Sequence, residues 1–345
     1  MSEITTVGLD LAKRVVSLCA EDVAGRIVMQ RTLRRERVLA WFAQRAPCLV
    51  GMEACSSAHW FARELAALGH TARIIAPEFV RPFRLSGKND TNDAQAICVA
   101  VRQPQLRFVA VKSAEQQARL VVHRLRRGWQ EERTAALNRL RGLLAEFGRV
   151  YANSARAAVD GARDALADET LPAALRRGLA RQLQYLREIE VHLADCDREI
   201  VEDVRGDPRA QRAARLSGVG VLTASAVAAT VPDPMQFRCG RQFAAWLGIT
   251  PRQYSTGGRA RLGRITRRGD AYLRGLLVQG ARSALQAALR AAPARRTRLA
   301  AWIVATFQRI GYHKTLVAIA NKHARLLWVL LTRDEPMHAH HASQR

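Results

Sequence analysis

The first hundred residues carry three β-rich runs in a row, then alternate helix and strand, and that order leaves few folds open. Residues 4–10, Ile-Thr-Thr-Val-Gly-Leu-Asp, read as a strand ending on an acid, and residues 15–20 and 26–33 follow as two more, joined by a turn at 22–25. Residues 35–45 form a helix that stops before Pro47. The apolar run 48–53 is a strand that again ends on an acid. Residues 57–68 make an amphipathic helix closed by Gly69. A strand at 71–76 ends at Pro77, and a short helix, a basic loop over 81–88 and a helix opened by Asp90 and Asp93 complete the series.

Asp90 and Asp93 sit three residues apart, so a helix holds both carboxylates on one face. Like charges that close favour a cation between them, and magnesium, which prefers oxygen ligands and keeps several waters, is one answer. Acids at a helix start also suit the macrodipole without any metal. The element order is that of the ribonuclease-H-like fold, a mixed sheet flanked by helices. There an acid in the first strand, one at the end of the fourth and acids on a later helix converge. Here these are Asp10, Glu53, Asp90 and Asp93. Each alone fits a turn; the four together favour a metal site.

The chain has 345 residues, enough for two or three domains, and a net charge of +25. An excess that large points to a polyanionic partner, most simply nucleic acid. Coding bias can exchange Lys for Arg but does not create the excess over acids, and Arg is the better bidentate phosphate ligand. The six cysteines form no CxxC pair, as expected of free thiols in a reducing cytoplasm. No apolar run reaches about 18 residues, so no membrane span is expected. The start lacks a signal-peptide pattern, and residues 336–345 read as a disordered tail.

Residues 113–150 are long-helix material, opened by a capping box of Ser113 and Gln116. His123, Arg124, Arg126, Arg127 and Arg133 make it basic, either as a solvated face or as a nucleic-acid track. Residues 150–170 are small and polar, a linker. Residues 171–204 hold one or two helices, with Leu179, Leu183, Leu186, Ile189, Val191 and Leu193 as a stripe suited to coiled-coil pairing. After Asp207-Pro208, residues 216–227 resemble a helix-hairpin-helix, whose Gly218-x-Gly220 turn offers backbone N–H groups to a phosphate. A helix over 237–247 leads into a loop over 250–270. The loop contains Ser255, Thr256, Gly257 and Gly258 with Arg252, Arg259, Arg261, Arg264, Arg267 and Arg268. It is either a phosphate-contacting loop with an incidental serine or the carrier of a nucleophile that attacks a phosphodiester between guanidiniums. Helices over 271–289, 297–310 and 313–332 follow.

Three stretches resemble the DEDD transposases of bacterial insertion sequences, the group described as bridge-RNA-guided serine recombinases. They are Gly51-Met-Glu-Ala-Cys-Ser-Ser-Ala-His-Trp60 with Leu68-Gly-His70 and residues 77–83; Lys88-Asn-Asp-Thr-Asn-Asp-Ala-Gln-Ala-Ile97; and residues 248–258 with Arg268-Gly-Asp270. The resemblance implies a RuvC-like α/β domain over 1–112, a helical, coiled-coil region over 113–206 and a mostly α transposase domain over 207–335. It implies that Asp10, Glu53, Asp90 and Asp93 bind Mg2+ and that Ser255, with Thr256 beside it, is the nucleophile. Nucleic-acid contacts are expected at Lys88, at Gly218 and Gly220, and along the 252–268 loop. It further implies donor and target DNA as substrates, a structured non-coding guide RNA, and a homodimer pairing into a homotetramer with a site shared between subunits. RNA pairing can carry the sequence recognition while the protein reads duplex shape and phosphates. The competing expectations are a hydrolytic RuvC-like nuclease acting on branched DNA, which leaves the serine loop idle, and a non-catalytic nucleic-acid-binding protein.

Overall fold

The computed structural model describes residues 3–84 and 90–333; Lys88 and the 336–345 tail lie outside the described residues. The chain divides into two compact units, residues 1–117 with 231–233 and residues 118–230 with 234–345.

In the first unit, β1 (Thr6–Leu11), β2 (Val15–Glu21) and β3 (Ile27–Arg34) are followed by α1 (Val38–Ala43), β4 (Leu49–Glu53), α2 (Ala58–Ala67), β5 (Thr71–Ile75), α3 (Pro77–Val80) and α4 (Asp90–Val101). The strands form one sheet in the order β3-β2-β1-β4-β5. β2 runs antiparallel to both its neighbours, while β1, β4 and β5 run parallel. Strand alternation sends Val7, Leu9, Val16, Leu18, Val50 and Met52 to one face, where they pack with Phe42, Phe61 and Leu65 of α1 and α2. The other face receives α4. Gly8 and Gly51 let that helix come close: a Cβ on Gly8 would stand 2.2 Å from the Ala94 carbonyl oxygen, and one on Gly51 2.7 Å from Val101 Cβ. Neither could be a larger residue without moving α4 off the sheet.

In the second unit, α5 (Ala114–Ala145), α6 (Ala155–Ala167) and α7 (Ala173–Gly206) share one core. The expected capping box opens α5, with Gln116 N–H donating to Ser113 Oγ at 3.1 Å and Ser113 N–H to Gln116 Oε1 at 2.9 Å. Within the unit, Arg126 meets Asp197, Trp129 stacks on His192, Arg133 meets Glu190 and Arg139 meets Gln182. As one number rises the other falls, so α5 and α7 form an antiparallel pair inside the chain. Two expectations are corrected here. Residues 155–167, expected in a linker, are helical: Ser154 caps them, and Ala158, Gly161, Ala162 and Ala165 form a buried face. Side chains that small read as linker composition, yet they allow close packing, and the Tyr151 ring lies 2.5 Å from where a Gly161 Cβ would be. Val191 is 59% exposed rather than part of the stripe, because the helical period from Ile189 continues to Leu193 and Cys196.

Beyond them come α8 (Pro208–Ala214), α9 (Val221–Thr230), α10 (Gly240–Trp246), α11 (Ala271–Arg290), α12 (Arg298–Ile310) and α13 (Tyr312–Thr332). Every residue of α9 from Thr223 to Thr230 is buried, which makes this small-residue helix the centre of the unit. The turn before it has Gly218 at φ +86°, packed so tightly that a Cβ would lie 2.6 Å from the Gly280 carbonyl oxygen, whereas Gly220 faces open space. The stretch expected as a loop over 250–270 is a β-hairpin, β6 (Pro251–Gln253) paired antiparallel with β7 (Leu262–Ile265). Gly257 and Gly258 both have positive φ, 58° and 76°, the pattern of a two-residue type I′ turn.

Candidate functional site

Two places carry chemistry. The first is one end of the α4-covered sheet face. Because Val7 and Leu9 face α1 and α2, the alternating Gly8 and Asp10 face α4; by the same rule so do Gly51 and Glu53. Leu9 pairs with Met52 across β1 and β4, so Asp10 and Glu53 follow side by side at the strand ends. The direction of α4 is fixed by two ties. Cys98 Sγ donates to the Cys19 carbonyl at 2.9 Å, level with Gly8, and Arg102 pairs with Glu21 at 2.9 Å, level with Thr6. The helix thus runs back along β1, and its first turn, with Asp90 and Asp93, extends toward the Asp10 end. From Ala94 back to Asp90 is about 6 Å of helix, matching about 6.5 Å from Gly8 to Asp10. Asp93 is buried and Asp90 exposed. Asp93 Oδ1 is paired with Arg84 Nε, a partner that the sequence reading did not name.

The four carboxylates are an all-oxygen donor set, the chemistry that suits magnesium. Their oxygens do not gather tightly: among the described residues, only Cys19, Glu21 and Cys98 bring three donor atoms within 4.8 Å of one another. An ion that keeps several waters tolerates the wider spacing. The Cys19 trio was not foreseen, since its members lie on β2 and α4 and no spacing in sequence links them. The hydrogen bond with Cys19, then burial, pushes the Cys98 thiol far up, the same hydrogen bond draws the Cys19 thiol down, and burial raises Glu21 against the opposing pull of Arg102. With the Cys98 thiol donating to the Cys19 carbonyl and Glu21 paired to Arg102, the trio is a packing cluster.

The second place is the hairpin. Its base is held firmly. Thr266 N–H donates to Thr250 O at 2.9 Å and Arg267 N–H to Gly248 O at 3.1 Å. Arg274 donates to the Leu247 and Arg268 carbonyls, both at 3.1 Å. Asp270 caps α11 by accepting from Leu273 N–H. Beyond that base, residues 251–264 are all exposed. Ser255 stands one residue before the Thr256–Arg259 turn, and its Oγ accepts a hydrogen bond from Gln253 Nε2 at 2.8 Å. Arg259, Arg261, Arg264 and Arg267 make no ion pair among the described residues, and Arg252 donates only to the Thr266 carbonyl, at 3.4 Å. The hairpin therefore presents uncompensated positive charge around one serine hydroxyl.

A buried polar chain ties the hairpin's helix to α5. Ser225 Oγ–H donates to Asp203 at 2.7 Å, so Oγ must accept from His123 Nε2–H at 2.9 Å. That leaves Nδ1 to accept from Tyr272 O–H at 3.0 Å, two residues past the α11 cap. Burial holds the His123 imidazole down at about 4, against the pull of Asp203. Arg119 extends the chain to Asp203 and Asp207. Burial opposes ionisation of Asp207, but hydrogen bonds from Arg119 and Arg209 outweigh it and hold the carboxyl below its usual range. No sequence signal links these residues, which come from four helices.

No described helix is long and apolar enough to cross a membrane. A family model described as "Transposase", of the IS110 DEDD type, matches residues 7–148, which hold all four acids, and one described as "Transposase IS116/IS110/IS902 family" matches residues 210–297, which hold the hairpin. The chain is 47% identical to a "Probable family 20 transposase" of Pseudomonas aeruginosa over 96% of its own length and 98% of the relative's. It is 36% identical to the "Transposase for insertion sequence element IS1111A" of Coxiella burnetii, over 97% of this chain and 92% of that one. It is 35% identical to the "Transposase for insertion sequence element IS1328" of Yersinia enterocolitica, over 96% and 98%. The chain thus belongs to the IS110/IS116 family of DEDD insertion-sequence transposases.

Proposed function

We propose that this transposase cuts and rejoins DNA through a covalent phosphoserine intermediate at Ser255. The observation that carries the reading is the hairpin: one serine hydroxyl near an exposed tip, on a hydrogen-bonded base, beside Arg259, Arg261, Arg264 and Arg267, which pair with no acid among the described residues. Guanidiniums there hold a phosphate and stabilise its developing charge. A serine ester keeps the phosphodiester bond energy for rejoining, which a hydrolase does not need.

We read the first unit as a ribonuclease-H-like, RuvC-like domain, supported by its sheet order, an antiparallel β3-β2-β1 meander continued by the parallel strands β4 and β5. Asp10, Glu53, Asp90 and Asp93 would hold Mg2+, with Arg84 yielding Asp93 to it. When bound, the ion supplies charge stabilisation to the attacking and leaving oxygens. The acids of one subunit would serve the serine of another, in a dimer that pairs into a tetramer. A structured non-coding RNA would select donor and target DNA by base pairing, and the +25 chain would hold that RNA by its phosphates. The α8–α9 turn, a helix-hairpin-helix in this reading, would seat a phosphate at Gly220, which faces open space, while Gly218 serves packing. Two variants test the reading. Ser255→Ala and Asp93→Asn should each abolish strand exchange in magnesium while nucleic-acid binding stays within about twofold, because neither removes positive charge. Strand exchange at the wild-type rate by either variant rules out its assigned role.

A further inference from the structure

We infer that Gln253 is a catalytic residue, a hydrogen-bond donor to the serine oxygen that stabilises Oγ both as it attacks and as it leaves; this rests on Ser255 being the nucleophile. The placement follows from the strand. Gln253 ends β6 and Ser255 follows two residues later, just before the turn, and the hydrogen bond between them puts both side chains on the same face of the hairpin. Tyr254 takes the opposite face, its ring against Gly263, where a Cβ would stand 3.1 Å away. Gln253 Nε2 reaches Oγ at 2.8 Å. Wherever the hairpin docks, this amide travels with the hydroxyl, unlike any group supplied by another subunit.

The chemistry asks for such a donor twice. In cleavage the Oγ–H proton departs, the Oγ–P bond forms and the bond from phosphorus to a deoxyribose oxygen breaks; that oxygen takes up a proton, so protons balance. In joining, a strand hydroxyl attacks the same phosphorus, the Oγ–P bond breaks and Oγ regains a proton. Negative charge builds on Oγ at the start of the first step and the end of the second. An amide N–H lowers both barriers and keeps its own protons. Removing one such donor costs about 10²–10³-fold in a closed site, and about tenfold is expected on an exposed hairpin.

The test uses the full-length protein with its nucleic-acid partners. A suicide substrate traps the adduct, and a hydroxyl-ended acceptor strand then releases it. Gln253→Ala should slow this release about tenfold or more, with DNA affinity within about twofold. Gln253→Glu cannot donate when ionised, so it should be slower still at neutral pH. Its rate relative to wild type should recover as pH falls toward the carboxyl range near 4.3. Release at the wild-type rate from Gln253→Ala overturns the inference. A Gln253→Glu variant equal to or faster than wild type at neutral pH also overturns it, since the amide would then be acting as an acceptor. Ser255→Ala run alongside separates the two claims. If it still cleaves, the serine reading fails and takes this inference with it; if it is inert while Gln253→Ala is normal, only the inference fails.

Discussion

The hairpin and α5 are the two most conspicuous basic stretches of the second unit, and they use arginine in opposite ways. Along α5, Arg119 pairs with Asp203 and Asp207, Arg126 with Asp197, Arg127 with Glu131 and Arg133 with Glu190. His123 is buried in the polar chain and neutral. Three of the seven arginines on α5, Arg119, Arg126 and Arg133, are thus answered by acids of α7, and these pairs serve to register two helices. On the hairpin, Arg259, Arg261, Arg264 and Arg267 have no acid paired with them among the described residues. An arginine count cannot separate these cases; the partner does. The even choice between a solvated face and a nucleic-acid track on α5 resolves, for Arg126 and Arg133, into a third use, interhelical pairing.

This contrast can be broken by experiment. Replacing Arg259, Arg261 and Arg264 together by Gln should weaken nucleic-acid binding about 10²–10³-fold at 0.1 M salt, roughly 3–4 kcal/mol, and lower the log–log salt slope by about 2 to 3. Binding unchanged in strength and slope would remove the hairpin from the interface. Next in size is acid lability in the α5 chain. His123 sits at about 4, below its ordinary 6.5, so the unfolded chain binds the extra proton between those values. The contribution of His123 is complete above about pH 6.5 and falls as pH drops to about 4, by up to about 3 kcal/mol. Burial sets His323 at about 4 too, so the protein as a whole should lose stability over the same window. A denaturant midpoint in His123→Gln that follows pH as steeply as wild type would contradict the His123 part. Arg119→Ala, which removes the ion-pair partner of Asp203 and one of the two arginines on Asp207, should cost about 2 kcal/mol of stability and leave the salt slope of binding unchanged. A reduced slope would return α5 to the interface. Smallest is Arg127→Ala, the loss of an exposed i,i+4 pair, at roughly 0.5 kcal/mol or less in thermal unfolding.

The order of strands and helices along the first unit, with Asp10 and Glu53 late in β1 and β4 and Asp90 and Asp93 in the first turn of α4, was legible because strand alternation and helix period are local properties that survive tertiary packing. The hairpin reads as a loop in the sequence: Gly257-Gly258 mark its turn, but its strands lack the apolar alternation that marks a half-buried strand. Helix α6 hid because its buried face is alanine and glycine, whose packing depends on what lies opposite. Arg84 on Asp93, and the chain from Tyr272 to Asp203, join residues far apart in sequence, and no periodicity encodes a partner.

The central claim is that Ser255 becomes covalently joined to DNA. A nicked suicide substrate should trap the protein in magnesium, and mass spectrometry of the protease digest should place the nucleotide adduct on the peptide carrying Ser255, with fragment ions on that residue. An adduct on Thr256 would keep the chemistry and move it one residue toward the turn. Cut DNA with free phosphate and hydroxyl ends and no protein adduct would contradict the account, because water would then be the nucleophile.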